Sequence, residues 1–425
     1  DATGQAAARH DHNAVIRYSD RALDLEPAPA ERASLIVARE LARHADGRGD
    51  HDALVAACDA ALPSGHVGDA IAVLFALSEV AELRMGDAEL AETYARRAAE
   101  LAADQPPGPV TALGPYAYAF ALNARGCYRE AIELCAREIA RADMSGAVEA
   151  AALLRVQYGR ARCIMGDADG AAESEAAARV LLEQRHPRAA VAALSSTSNL
   201  HLAGAITAGR ALLADAILWA RQNTPDSNEL LFLLALAAIE TAVFDADGAV
   251  VVDAAWREIE ATAARLGEID HDAGWLVAAA HLWQGQLTGA QPDVSAAIRN
   301  ATSRHGLSVP YARLTCLTAA AFIGVMQGDT AAHRICDEYL DAFCQPDWDH
   351  GTDHDVAQIA IVLAAIGRRD EITRLTRLAP IRGGWLEVIE ALASNRDEHA
   401  RACLERMRCD GLAAMLPAAL GTASV

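Results

Sequence analysis

The chain contains no lysine: all 37 of its basic residues are arginine. A phosphate-binding P-loop is thereby excluded, because its lysine reaches the phosphates, and so is Schiff-base chemistry, which needs an amine. An arginine-only basic set usually reflects a GC-rich genome rather than function. Aromatic residues are also few, 5% against 52% hydrophobic residues in all. The apolar content is therefore mostly Ala and Leu, which favour helices, and the β-branched and aromatic runs typical of strands are scarce. The nine cysteines (Cys58, Cys127, Cys135, Cys163, Cys316, Cys336, Cys344, Cys403 and Cys409) form no CxxC pair and are odd in number. They make neither a zinc framework nor a disulfide scaffold. Most lie in apolar stretches and read as small core residues in a reducing, cytoplasmic compartment.

No long hydrophobic run is present. The longest, Leu230 to Ile239, is bracketed by Glu229 and Glu240 and is too short to cross a bilayer. The N-terminal Asp1-Ala2-Thr3-Gly4-Gln5 lacks the basic and apolar regions of a signal peptide, and the absent initiator Met fits a piece of a larger protein. A formal net charge of -21 repels phosphate backbones and anionic lipid surfaces. Neither nucleic acid nor a membrane is expected as a partner of these residues.

What is present is a beat. Short turns centre near Gly47, Gly86, Gly126, Gly166, Gly204, Asp247, Gly289, Gly328 and Gly367, at intervals of 38 to 43 residues. Second breaks fall between them: Pro106-Pro107-Gly108-Pro109, Met144-Ser145-Gly146, His186-Pro187, Thr224-Pro225 and Val309-Pro310. Each interval thus reads as two helices with a tight inner turn. Gly closes the first helix in the left-handed conformation, and Asp87, Asp167 and Asp329 suit the start of the second. Small residues recur where two such helices must cross closely: Ala91, Ala131 and Ala171, Ala98 and Ala178, and Gly159 in the first helix before Gly166. These spacings match the tetratricopeptide pattern. One hairpin cannot bury its apolar face alone, so the units must stack. The expected fold is all-α: a tetratricopeptide-like, right-handed superhelical solenoid of about nine to ten hairpins over residues 1–381. Residues 382–425 read as a capping hairpin and tail of the same solenoid, frayed from Pro417. A HEAT-like stack is the alternative.

Chemical motifs are sparse. Neither GxSxG, HExxH nor a GxGxxG that opens a helix occurs, and the carboxylate pairs lie on charged helix surfaces. No enzymatic activity and no cofactor are expected. The stretch Asp347-Trp348-Asp349-His350-Gly351-Thr352-Asp353-His354-Asp355 offers carboxylate and imidazole ligands. Its spacing is unspecific, and it reads as a solvated helix start with Asp353 capping a helix near Val356. The segment His44 to Asp52 repeats that flavour at a turn, and the run His10-Asp11-His12 near the start reads as disordered, so no metal site is assigned. Registering the turns on the repeat places the groove-facing residues three, six, ten and thirteen positions before each turn. Polar or aromatic residues at those positions are the candidate contacts: Tyr116, Phe120 and Asn123 before Gly126, Arg160 before Gly166, Ser198 and His201 before Gly204, and Trp283 and Gln286 before Gly289. All six tryptophans lie beyond residue 200 and read mostly as core, with an aromatic-lined groove in the second half as the alternative.

The beat, the Ala and Leu richness, the arginine-only basicity and the Gly-Asp turns together resemble one family. They look like the helical-repeat sensor arm of the large ATP-binding LuxR-type regulators, relatives of the maltose regulator. Ala30 to Ala103 carries most of the likeness, with Glu31-Arg32-Ala33 opening a helix and Met85-Gly86-Asp87 closing a later one. The resemblance implies a domain that receives a small-molecule effector, peptide or protein in its concave groove and controls transcription. It also implies an ATPase before the arm and a helix-turn-helix after it. Neither a P-loop motif nor a convincing helix-turn-helix lies within these residues. A free-standing scaffold or peptide receptor, with or without homo-oligomerisation, is the alternative reading, and an enzyme on a helical solenoid a more distant one.

Overall fold

The computed structural model describes residues 3, 12–45, 48–167, 169–225, 227–245, 249–266, 277, 279–284, 310–343, 353–378 and 383–421. These residues contain helices and no strand. In chain order the helices are α1 (His12–Leu23), α2 (Pro29–Ala45), α3 (His51–Ala61), α4 (Val67–Val80), α5 (Ala88–Ala103), α6 (Leu113–Ala124) and α7 (Tyr128–Ser145). There follow α8 (Val148–Ile164), α9 (Asp169–Glu183), α10 (Ala189–Leu202), α11 (Ile206–Asn223), α12 (Asn228–Phe244) and α13 (Ala249–Leu266). The last are α14 (Pro310–Met326), α15 (Ala331–Phe343), α16 (Asp353–Ala365), α17 (Arg369–Leu378), α18 (Gly383–Ala393), α19 (Asp397–Arg406) and α20 (Asp410–Gly421). A short π-helical segment, Ala81–Met85, extends α4.

The turn chemistry follows the sequence. Gly86, Gly126, Gly166, Gly204, Gly328 and Gly367 all take positive φ, between 63° and 95°. A Cβ is disfavoured there, and the reversed backbone lets the next amide reach back to the last helical turn. At Gly126, for example, the Cys127 amide donates to the Leu122 carbonyl at 2.8 Å. Asp87 caps α5 by accepting from the Leu90 amide at 2.9 Å, and Asp329 accepts from Ala331 at 2.8 Å. The turns expected at Gly47, Asp247 and Gly289 lie outside the described residues, as do most of the 347–355 cluster and Cys344. The helix expected near Val356 begins three residues earlier, at Asp353.

Successive helices pack on each other, and the first helices of neighbouring hairpins also touch: α2 with α4, α4 with α6, α6 with α8, α8 with α10, α10 with α12, and later α14 with α16 and α16 with α18. Alanine makes this density possible. Ala91, Ala98, Ala131, Ala171 and Ala178 are all buried at hairpin crossings. At the tightest crossing, α8 against α9, a Cβ on Gly159 would overlap the Gly170 carbonyl oxygen, and one on Gly170 the Gly159 carbonyl. Seven of the cysteines (58, 135, 163, 316, 336, 403 and 409) are buried. All but Cys403 serve chiefly as small core residues, and burial pushes the Cys316, Cys336 and Cys409 thiols up to about 12.

The C-terminal segment departs from the expected frayed tail. The chain stays helical through Gly421, although Pro417 removes one backbone donor from α20. Leu412, Ala413, Leu416 and Ala419 are buried, and α20 packs on α12, α14, α16 and α19. Gly411 is what allows this: a Cβ there would strike the carbonyls of Ala242 and Val243. Turn-based reading missed the helix because its apolar face belongs to no repeat interval. Among the described residues, no helix is long and apolar enough to cross a membrane.

Candidate functional site

The first helices of the N-terminal half carry a run of polar residues on faces that are otherwise apolar. Glu79 ends α4. Its carboxylate accepts from the Arg188 guanidinium at 2.6 Å, and the ring of His44, at the end of α2, lies 3.0 Å from the other oxygen. Arg188 stands just before α10, 109 residues from Glu79 in sequence. Its guanidinium lies 4.7 Å from the Phe75 ring centroid. Burial alone would raise the Glu79 pKa, but the charge of Arg188 and the hydrogen bond from His44 outweigh it and lower it to about 2. Burial likewise opposes the charge on Arg188, and the Glu79 carboxylate more than restores it. Neighbouring His186 is buried beside Arg188, and burial first and that charge second lower it to about 4.

Glu82 follows within the π-helical segment, where the altered helical register displaces side chains from the α-helical rows. It has the opposite electrostatics. Burial and then the negative Glu79 raise it to about 8, against the pull of Arg160. Near neutral pH a large share of Glu82 is therefore the uncharged acid, able to donate a hydrogen bond. Tyr116 on α6 lies beside the same ion pair. Its ring is 6.2 Å from Phe75, and burial raises its pKa while Arg188 and Gln157 oppose that rise. Asn123, two turns on, donates through Nδ2 to both the backbone and side-chain oxygens of Gln157 on α8, each at 3.1 Å. Asn123 Oδ1 is buried and accepts no hydrogen bond among the described residues, while Gln157 Nε2 faces the Tyr116 hydroxyl.

Of the eight expected contact residues, three (Tyr116, Asn123 and Arg160) come together here. Phe120 sits between Tyr116 and Asn123 on α6 and is half-buried. Ser198 is also half-buried and returns its hydroxyl to the Leu194 carbonyl at 3.4 Å. His201 lies in a different contact. It is buried against the Phe244 ring, with Nδ1 3.6 Å from Glu240 Oε1. Burial raises Glu240 to about 8, opposed by Arg210 and reinforced by Asp245. Trp283 is 1% exposed and packs on Phe322, so it is core rather than groove wall. Trp219 and Trp385 are buried too. Gln286 lies outside the described residues.

The four-position register needs one adjustment. Positions three before the turn (Asn123, Cys163, His201) are buried, because they face the first helix of the next hairpin. Of the positions six before it, Phe120, Arg160 and Ser198 keep exposed surface, whereas Val80, Trp283, Phe322 and Ile361 are buried. Sequence reading missed His44, Glu79, Glu82, Gln157 and Arg188. The available signal was a polar residue interrupting an apolar helix: Glu79 and Glu82 lie two and five residues beyond the run Ala70 to Leu77. A separate recess between α5, α6 and α7, near Pro107, Thr111 and Arg141, has a volume of about 20 Å³, room for a single water.

No protein-family model matches this chain, and no curated protein matches it in sequence.

Proposed function

We propose that the hairpins stack as a tetratricopeptide-like, right-handed superhelical solenoid with a period of about 40 residues. In this reading the domain is the cytoplasmic, signal-receiving part of a transcription regulator. The polar face of its N-terminal half binds a small polar effector or a partner segment. One observation carries the reading: Glu79, Glu82, Tyr116, Asn123, Gln157 and Arg160, with Arg188 just before α10, gather on helices whose other buried residues are mostly apolar. Stability is a weak reason for such a cluster, since well-packed apolar residues usually serve as well as a buried ion pair. Recognition is a better one. An uncharged Glu82 as donor and the spare acceptor on Asn123 offer both senses of hydrogen bond in a partly dry setting. Half-buried Phe120 and Arg160 supply an aromatic face and a charge at the open edge.

The tryptophans provide the test. All lie beyond residue 200, so an effector held in the N-terminal half changes tyrosine emission and leaves tryptophan emission unchanged. Phe120→Ala and Arg160→Ala should each weaken binding about tenfold or more without lowering the melting temperature. Unchanged affinity in both variants, or a response confined to tryptophan, would remove this face from consideration. Sequencing the gene beyond both ends tests the regulator context. An ATPase upstream and a helix-turn-helix downstream support it, and their absence leaves a free-standing receptor.

A further inference from the structure

A second constellation lies far from the polar face, in the hairpin of α18 and α19. The turn between these helices is closed by Asn395 at positive φ, which accepts that conformation more readily than most residues. The two helices pack directly on each other. His399 and Cys403 are four residues apart on α19 and so share one face, one turn from each other. Glu387 projects from α18 towards the same point. The Cys403 sulfur is 3.6 Å from Glu387 Oε2 and 3.7 Å from His399 Nε2, and all three donor atoms lie within 4.8 Å of one another.

We propose that Glu387, His399 and Cys403 form a binding site for a divalent cation of the zinc class. The geometry is what such an ion requires. Metal–sulfur and metal–nitrogen or –oxygen bonds of about 2.3 and about 2.1 Å at a tetrahedral centre put neighbouring ligand atoms roughly 3.6 Å apart. The two sulfur-centred edges already have that length. Thiolate, imidazole and carboxylate together favour zinc over the oxygen-seeking magnesium and calcium ions. Three protein ligands leave a fourth position for water or for a donor from a partner. Cys403 is buried at the bottom of the site, while Glu387 and His399 are exposed at its mouth, so an ion enters from solvent without the helices separating.

Arg406 is the independent sign that this point attracts positive charge. Its guanidinium donates to Glu387 Oε2 and also lies 3.4 Å from the Cys403 sulfur. The side chain is largely exposed and can swing away into water. On binding, the Cys403 S–H bond breaks, its proton leaves to solvent and a metal–sulfur bond forms. Glu387 binds through a carboxylate oxygen and His399 through Nε2 of the neutral ring, with no change of oxidation state. The CxxC spacing that sequence reading looked for does not apply, because the ligands come from an i, i+4 pair and a facing helix.

The test is a titration of the full chain, reduced and stripped of metal, with cobalt(II), followed by displacement with zinc(II). The expected result is thiolate-to-cobalt charge-transfer absorption that saturates near one equivalent and is removed by zinc. Glu387→Gln and His399→Ala alter exposed residues and leave the fold intact; each should weaken cobalt binding about tenfold or more. Cys403→Ser should abolish the band, and Arg406→Ala should tighten binding by removing the competing cation. Absence of the band in the unaltered protein would overturn the site. So would a band whose midpoint survives both His399→Ala and Cys403→Ser, which would assign it to another cysteine.

Discussion

Gly159 and Gly170 show how a single hydrogen in place of a methyl group sets the distance between two helices. Each lies where a Cβ would overlap the other's carbonyl oxygen, so the backbones of α8 and α9 touch. Gly159→Ala is expected to destabilise the protein by about 1–3 kcal/mol through overpacking, measured as a fall in the urea midpoint at constant slope. Glu240 makes a different prediction at this scale. Its pKa is raised from 4.5 unfolded to about 8 folded by burial. The folded state therefore holds its proton more tightly. That stabilisation is full below about pH 4.5 and is lost as pH rises through about 8. Glu240→Gln should flatten this part of the stability profile, seen as a smaller fall in melting temperature between those two pH values. An equal slope in the variant would mean that Glu240 is not the titrating group. The turn glycines were legible without any structure, because positive φ is a local demand that a Cβ penalises. The burial of His201 and Asn123 was not. A residue three positions before a turn is inside or outside according to how the next hairpin lies upon it, and spacing within one repeat does not contain that information.

Element by element, the regular hairpins follow from Ala and Leu periodicity, Gly closure and Asp capping, and they could be placed from the chain alone. Helices α12 and α20 could not be placed in the same way. α12 is apolar on nearly every side because it is covered by α11, α13 and α20 at once. α20 carries a proline, which reads locally as a break, yet tertiary burial of Leu412 and Leu416 outweighs one missing hydrogen bond. The role of Gly411 is directly testable. Gly411→Val places branched carbons against the Ala242 and Val243 carbonyls, so α20 should lift from α12. Limited proteolysis should then cut near Arg406–Asp410 several-fold faster than in the unaltered protein, while cleavage in the N-terminal half stays the same. Undiminished protection would mean that the α12–α20 contact does not hold the C-terminal helix in place.

Across the whole molecule, the most distant link is the ion pair between Glu79 and Arg188. It joins α4 to the start of α10 and so limits how far the intervening first helices can spread. Both side chains are about one-fifth exposed, which places the pair between a surface bridge and a buried one. Arg188→Ala should cost about 1–3 kcal/mol, much of it from leaving Glu79 partly buried without its partner. The folded Glu79 pKa lies below its unfolded value, at about 2, so the stability it contributes is present above about pH 4.5 and lost as pH falls through about 2. That pair was beyond sequence reading for a physical reason: residues 109 apart meet only after three intervening units have stacked with a definite curvature. The same stacking brings Tyr116, Asn123, Gln157 and Arg160 onto one polar face. The most direct measurement of that face is a capture experiment. The unaltered protein and a Phe120→Ala, Arg160→Ala double variant are incubated with whole-cell extract, and bound small molecules and polypeptides are compared by native mass spectrometry. At least one species retained by the unaltered protein and lost from the equally stable variant is the expected result. Identical retention by both, or none by either, would contradict a receptor face in the N-terminal half.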